Sequence, residues 1–233
     1  MKKIYIFLSL VLLLSPLYSQ NTWMQKADMP IPVESSIAFS INGKGYLISG
    51  FSNSNFTNAV LEYNPATDTW TTKQPFPGTA RERAFGFAIG NKGYIGGGWS
   101  GMAFETDFWE YDPATDTWTQ KASFSEIGRS NTISFAINCK GYVTTGSAGS
   151  GQPLYDDLWE YDPGSNSWTQ KADFPGDARS GGVGSSVNGR GYAGLGGTQL
   201  GLYQDWYEYN PATNSWTQKA SFPLTSTGLG TAS

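Results

Sequence analysis

Histidine is missing from all 233 residues of the sequence, and cysteine occurs once, as Cys139. The first absence removes every histidine-based triad or general base and most zinc, copper and haem sites, and no cofactor is expected. The second removes any intramolecular disulfide, so a hydrophobic core must hold the fold unaided. Basic side chains are outnumbered, 15 against 19 acidic ones, and are scattered rather than clustered, which argues against a nucleic-acid partner. Past residue 19 no apolar run approaches the roughly 20 residues of a membrane-spanning helix. Aromatic residues, by contrast, make up 15% of the chain, enough to supply a core.

Residues 1–19 read as a secretory signal peptide: Lys2 and Lys3 precede an apolar run from Ile4 to Leu14, and small or turn-prone residues end it. The mature chain is then exported to the periplasm, the cell surface or the medium. Loss of two lysines leaves 15 − 2 = 13 basic against 19 acidic side chains, a formal charge of −6.

The rest, 20–233, is written in repeats. Trp23, Trp70, Trp118, Trp168 and Trp216 follow one another at 47, 48, 50 and 48 residues, and Tyr46, Tyr94, Tyr142 and Tyr192 keep nearly the same step. A period of this size belongs to stacked supersecondary units. Inside each unit, short apolar or aromatic segments alternate with Gly, Pro, Asn and Asp, the pattern of strands and tight turns. In the second unit the spacing predicts strand a over 83–89, strand b over 93–98, strand c over 107–111 and strand d over 118–122. "Y(N/D)P" opens the turn between c and d, since proline fixes φ and the flanking Asx bonds its own backbone. Four strands per unit and no way to bury both faces alone predict an all-β propeller of four complete blades, about 35–75, 83–123, 131–173 and 181–221.

The Tyr and Gly-rich strand b, the aromatic "EY(N/D)P" and the Trp that follows resemble the kelch repeat, and the wording resembles exported bacterial kelch proteins called galactose oxidase-like. The copper centre of galactose oxidase uses two histidines, so that chemistry is excluded here. Another secreted kelch enzyme, N-acetylneuraminate epimerase (sialic acid mutarotase), works with carboxylate and arginine groups, which this sequence possesses. The resemblance implies either a module that binds a protein or glycan ligand, or a carbohydrate-active enzyme of the mutarotase kind.

Arg81, Arg129 and Arg179 stand at one register in the linkers leading into strand a. If they converge on the channel they make a site for an acidic ligand; if each ties its linker to a blade, they are structural. Glu34, Glu82 and Arg83 occur once each near that rim and join the candidates. The repeated Glu62, Glu110, Glu160 and Glu208 read as structural, and Cys139 as a turn residue without a catalytic partner.

The unit order starts with a strand d at 22–27 and stops inside a strand a at 228–233. A fifth blade assembled from these would lack strands b and c, roughly 25 residues at this period, so the chain is read as truncated.

Overall fold

The computed structural model describes residues 23–124, 127–149 and 152–223. The expected signal peptide and the terminal strand 228–233 lie outside them. Residues 23–29, where the strand d expected at 22–27 would lie, form no strand.

The first blade is built from β1 (Ile37–Ile41), β2 (Lys44–Ile48), β5 (Val60–Asn64) and β6 (Thr69–Thr72), with a small hairpin, β3 (Phe51–Ser52) and β4 (Asn55–Phe56), standing in its b–c loop. The second consists of β7 (Phe85–Ile89), β8 (Lys92–Gly96), β9 (Phe108–Asp112) and β10 (Thr117–Lys121), and the third of β11 (Ile133–Ile137), β12 (Lys140–Thr144), β13 (Leu158–Asp162) and β14 (Ser167–Lys171). The fourth comprises β15 (Val183–Val187), β16 (Arg190–Gly194), β19 (Trp206–Asn210) and β20 (Ser215–Lys219), with the hairpin β17 (Gly197–Thr198) and β18 (Gly201–Leu202) in its loop. All four are antiparallel meanders in sequence order, the arrangement of a propeller blade. No helix of the described residues is long and apolar enough to cross a membrane.

Stacking follows from how each inner strand divides its two faces. In β7, Phe85, Phe87 and Ile89 point forward into a core with Val143 and Tyr161 of the third blade. Gly86 and Ala88, between them, point back; a Cβ on Gly86 would come within 2.3 Å of Ile37. Large side chains forward and small ones behind let each blade nest in the next, the interdigitation that close packing requires. The glycine before each strand-b tyrosine belongs to the same scheme. A Cβ at Gly93, Gly141 or Gly191 would lie 2.3, 2.1 or 2.3 Å from the ring of Phe39, Phe87 or Phe135 in the preceding blade.

The repeated "EY(N/D)P…W" is an outer clasp. Asp116 Oδ1 accepts hydrogen bonds from Gln74 N–H (3.1 Å) and Tyr111 hydroxyl (2.6 Å), while Trp118 Nε1 donates to Gln74 C=O (3.2 Å). Asn166 with Trp168 holds Ala122 in this way, Asn214 with Trp216 holds Ala172, and Asp68 with Trp70 holds Ala27. Blades two to four thereby grip a residue just past strand d of the blade before, and the first blade grips Ala27 in the same way. Edge-on contacts such as Phe124–Trp168 (4.9 Å between centroids) fill the space beneath.

The inner strands contact one another in the order β1, β7, β11, β15, and among the described residues no strand of the fourth blade touches the first. The forward face of the fourth blade is therefore open: Phe222 is 51% exposed, whereas its counterparts Phe76, Phe124 and Phe174 are buried.

Candidate functional site

Where the chain enters each blade it forms the rim of the central channel. Glu34, Glu82, Ser130 and Ser180 each make an isolated antiparallel bridge, to Phe51, Trp99, Ser147 and Gly197 respectively. The next residues, Ser35, Arg83, Asn131 and Gly181, all take a left-handed conformation, with φ of 54°, 54°, 55° and 69°. This turns their peptides toward the neighbouring blade: Arg83 N–H donates to Ser35 C=O (2.9 Å), Asn131 to Arg83 (3.1 Å) and Gly181 to Asn131 (2.9 Å). A belt of main-chain hydrogen bonds thus links the four blades around the axis.

The three register arginines lie one layer below the rim. Arg81 and Arg179 are fully buried and Arg129 nearly so. Each guanidinium forms a two-pronged ion pair with the aspartate that opens strand c of the blade it leads into, namely Asp107, Asp157 and Asp205. Each also donates to the carbonyl of the residue just past strand b, Gly97, Thr145 or Leu195, and lies against aromatic rings; Arg129 Cζ is 3.8 Å from the Tyr155 centroid. The backbone carbonyls of the arginines accept from Gly50, Gly98 and Gly146 of the preceding blades. These three residues do not converge on a common space. Their side chains fix linker to blade, the structural use that their repetition allowed.

The aspartates are the residues that the sequence reading missed. Their signal was an absence: the first unit has Val33 and Ala59 at the two registers and so lacks both partners together.

Arg83 is placed differently. Its side chain remains half exposed, and it lines a cavity of about 960 Å³ at the channel mouth. Asn131, Ser147 and Ser180 supply polar wall, and Trp99 with Phe104, 4.6 Å between centroids, supplies an aromatic one. Gln152, Leu154 and the β17–β18 hairpin complete the far side. Glu82 is largely covered and lies 3.4 Å from Arg83 Nε, so the two form an ion pair, but Glu82 itself does not line the cavity. Glu34 is exposed on the first blade and does not line the cavity. The volume falls in the range of small-ligand sites, roughly 300–1,000 Å³, and the mixture of one cation, several hydrogen-bonding groups and an aromatic wall suits a polar ligand with an acidic or hydroxylated face.

The repeated glutamates are used within the blades. Tyr46, Tyr94, Tyr142 and Tyr192 donate to Glu62, Glu110, Glu160 and Glu208 at 2.6, 2.6, 2.6 and 2.9 Å. Burial works to raise the pKa of Glu62 and Glu160, but hydrogen bonds from Tyr and Lys outweigh it and hold both below the usual glutamate value. Cys139 lies in the β11–β12 turn with φ of 66° and is exposed.

Residues 87–125 match the Kelch motif. No curated protein matches the sequence. Among solved structures, that of YjhT superposes with a TM-score of 0.71 at 21% identity, over 86% of this chain and 69% of YjhT. At that identity the likeness concerns the fold.

Proposed function

Because this chain is a kelch-repeat β-propeller, we propose that it is an exported binding module whose channel-mouth cavity takes a protein or glycan ligand bearing an acidic group. Kelch propellers bind proteins or ligands, which is the general use. Export is supported by the Lys2–Lys3, apolar and small-residue order of 1–19. The observation that carries the ligand reading is Arg83: it is the cation at the cavity, while the buried arginines spend their charge on aspartates.

The test is binding of sialylated and neutral glycans and of acidic peptides, by array and then calorimetry, to the mature protein and to Arg83→Ala. Preference for the acidic ligands, weakened about tenfold or more in the variant, supports the reading; a charged hydrogen bond of about 1.5–3 kcal/mol sets that scale. Equal binding by both proteins overturns it.

A catalytic reading rests on the Glu82 carboxylate, which lies 3.4 Å from Nε of the cavity-lining Arg83. Arginine would hold a sugar carboxylate and Glu82 would move the proton in a mutarotase-type reaction. Anomer exchange of N-acetylneuraminic acid, followed by NMR, decides it: no acceleration over buffer removes this reading.

A further inference from the structure

In every blade two residues face each other across the b–c loop at one register: Phe51 with Phe56, Trp99 with Phe104, Ser147 with Leu154, and Gly197 with Leu202. In the first two blades both members are aromatic, with ring centroids 5.2 and 4.6 Å apart. In the third and fourth no ring remains, and the pairs are Ser–Leu and Gly–Leu. The second member also reaches forward over the next blade. A Cβ on Gly101 would lie 2.6 Å from the Phe56 ring, and one on Gly149 would lie 2.9 Å from the Phe104 ring. At the following step this relay ends, because Leu154 replaces the aromatic knob and Gln199 the glycine.

The channel-mouth cavity lies where the layer of rings runs out. Trp99 and Phe104 form its aromatic wall, and the reduced pairs of the third and fourth blades line the rest of that layer, whereas Phe51 and Phe56 take no part. On the fourth-blade hairpin Leu200 is 98% exposed and Leu202 66%, and both border the cavity. Bare apolar side chains beside a concave wall mark a place where a ligand buries area. A pyranose seated there would turn hydroxyls, which need hydrogen-bond partners, toward leucines that offer none. The edge of an aromatic ring carries only C–H groups. Trp99 offers such a ring the tilted or edge-on partner that the aromatics of the first two blades give each other. Arg83, half exposed at the same cavity, supplies the charge.

We infer that the channel-mouth ligand is an aryl acid: its aromatic ring extends the layer that ends at Trp99, and its carboxylate meets Arg83. The inference rests on the channel-mouth reading and states which acids that site prefers. An aryl glycoside of a sugar acid and a peptide with an aromatic residue beside its carboxylate share this chemistry.

The experiment is calorimetry on the mature protein with two matched pairs of ligands: phenyl against methyl β-D-glucuronide, and N-acetylphenylalanine against N-acetylalanine. The aryl member of a pair should bind about tenfold or more tighter, the scale of one buried ring. The pair with the larger gain tells whether a glycoside or a peptide carries the ring. Phenyl β-D-glucoside, which keeps the ring without the acid, should bind about tenfold or more weaker than phenyl glucuronide. Ser147→Trp writes the second blade's ring into the third at the same register and should bring the ratio of aryl to alkyl affinity close to one. Should that variant fail to fold, Leu202→Ala removes an exposed part of the wall and should cut the ratio about threefold. Equal affinity within both pairs, with Arg83→Ala weakening every acid, would overturn the inference and leave the channel-mouth reading standing. An undiminished ratio in the folded variant would overturn it as well. Binding of no acid, or acid binding unchanged in Arg83→Ala, would remove the channel-mouth reading and this inference with it.

Discussion

Arg179 Nη2 donates to Asp205 Oδ2 at 2.9 Å in the interior of the fourth blade, and the second and third blades repeat the pair. The first blade does without it, carrying Val33 and Ala59 in those places. A charge pair that one blade omits altogether is better described as a matched set than as an indispensable bond. Asp205→Ala strands a buried guanidinium and should cost about 3 kcal/mol, under the upper end for buried pairs because Asp205 keeps some water contact. Adding Arg179→Val, which reproduces the first-blade combination, should return part of that loss. Denaturant unfolding of both variants checks the sign; a double variant less stable than Asp205→Ala alone would contradict the account.

The glycine before each strand-b tyrosine gives a comparison with an internal control. Gly93→Ala drives a methyl into the Phe39 ring and should destabilise by about 2 kcal/mol, as overpacking does. At Gly45 a Cβ meets nothing nearer than Tyr63 at 3.8 Å. Gly45→Ala should be neutral or stabilising by about 0.5 kcal/mol, since alanine loses less chain entropy on folding. Thermal unfolding of the two proteins should therefore separate by several degrees.

Cys139 holds a left-handed conformation in a hairpin turn where the first and fourth blades place Gly43 and Gly189. Asn-Gly is the preferred pair for such a turn, and a residue with a Cβ loses about 1–2 kcal/mol there. Cys139→Gly is expected to raise the melting temperature and to abolish thiol labelling of the native protein. A lower melting temperature would show that the thiol contributes packing.

At Asn214, whose φ of 48° a glycine accepts without strain, Asn214→Gly removes the two hydrogen bonds that its Oδ1 accepts, from Ala172 N–H and from the Tyr209 hydroxyl. The expected cost is about 1–3 kcal/mol, with faster hydrogen exchange at the Ala172 amide and little change at Ala122.

The tyrosines set the alkaline limit. Burial raises Tyr209 to about 12, with a further contribution from the Glu160 charge, and raises Tyr94, Tyr111 and Tyr142 beyond that value. A folded pKa above the unfolded one stabilises below the unfolded value and is lost as pH rises through it. Stability should fall above about pH 10, the ordinary tyrosine value, with buried phenolate absorbance appearing together with unfolding. On the acid side Glu62 and Glu160 lie below their ordinary value, so their contribution is present above it and disappears as pH falls through the folded pKa. Phenolate that forms at pH 10 in a native spectrum would show these rings to be accessible.

The propeller was legible in the sequence because its signals are periodic. The Trp and Tyr step fixed the blade length, proline and Asx marked the turns, and the strands predicted for the second unit overlap β7, β8, β9 and β10. The partners of Arg81, Arg129 and Arg179 were not legible, since register alone does not tell a channel from a blade interior. The channel-mouth walls were equally hidden: Trp99, Phe104 and Gln152 come from b–c loops that differ between units, so nothing periodic marks them. Arg83 was found for the opposite reason, as a residue that breaks the repeat.

The belt at residues 35, 83, 131 and 181 connects blades through peptide groups alone, and the side chains there are Ser, Arg, Asn and Gly. Folding asks of these positions only a left-handed backbone. The side chains presented at the rim can thus be rewritten one residue at a time without renegotiating the scaffold, so the surface of this propeller can drift while its architecture stands still.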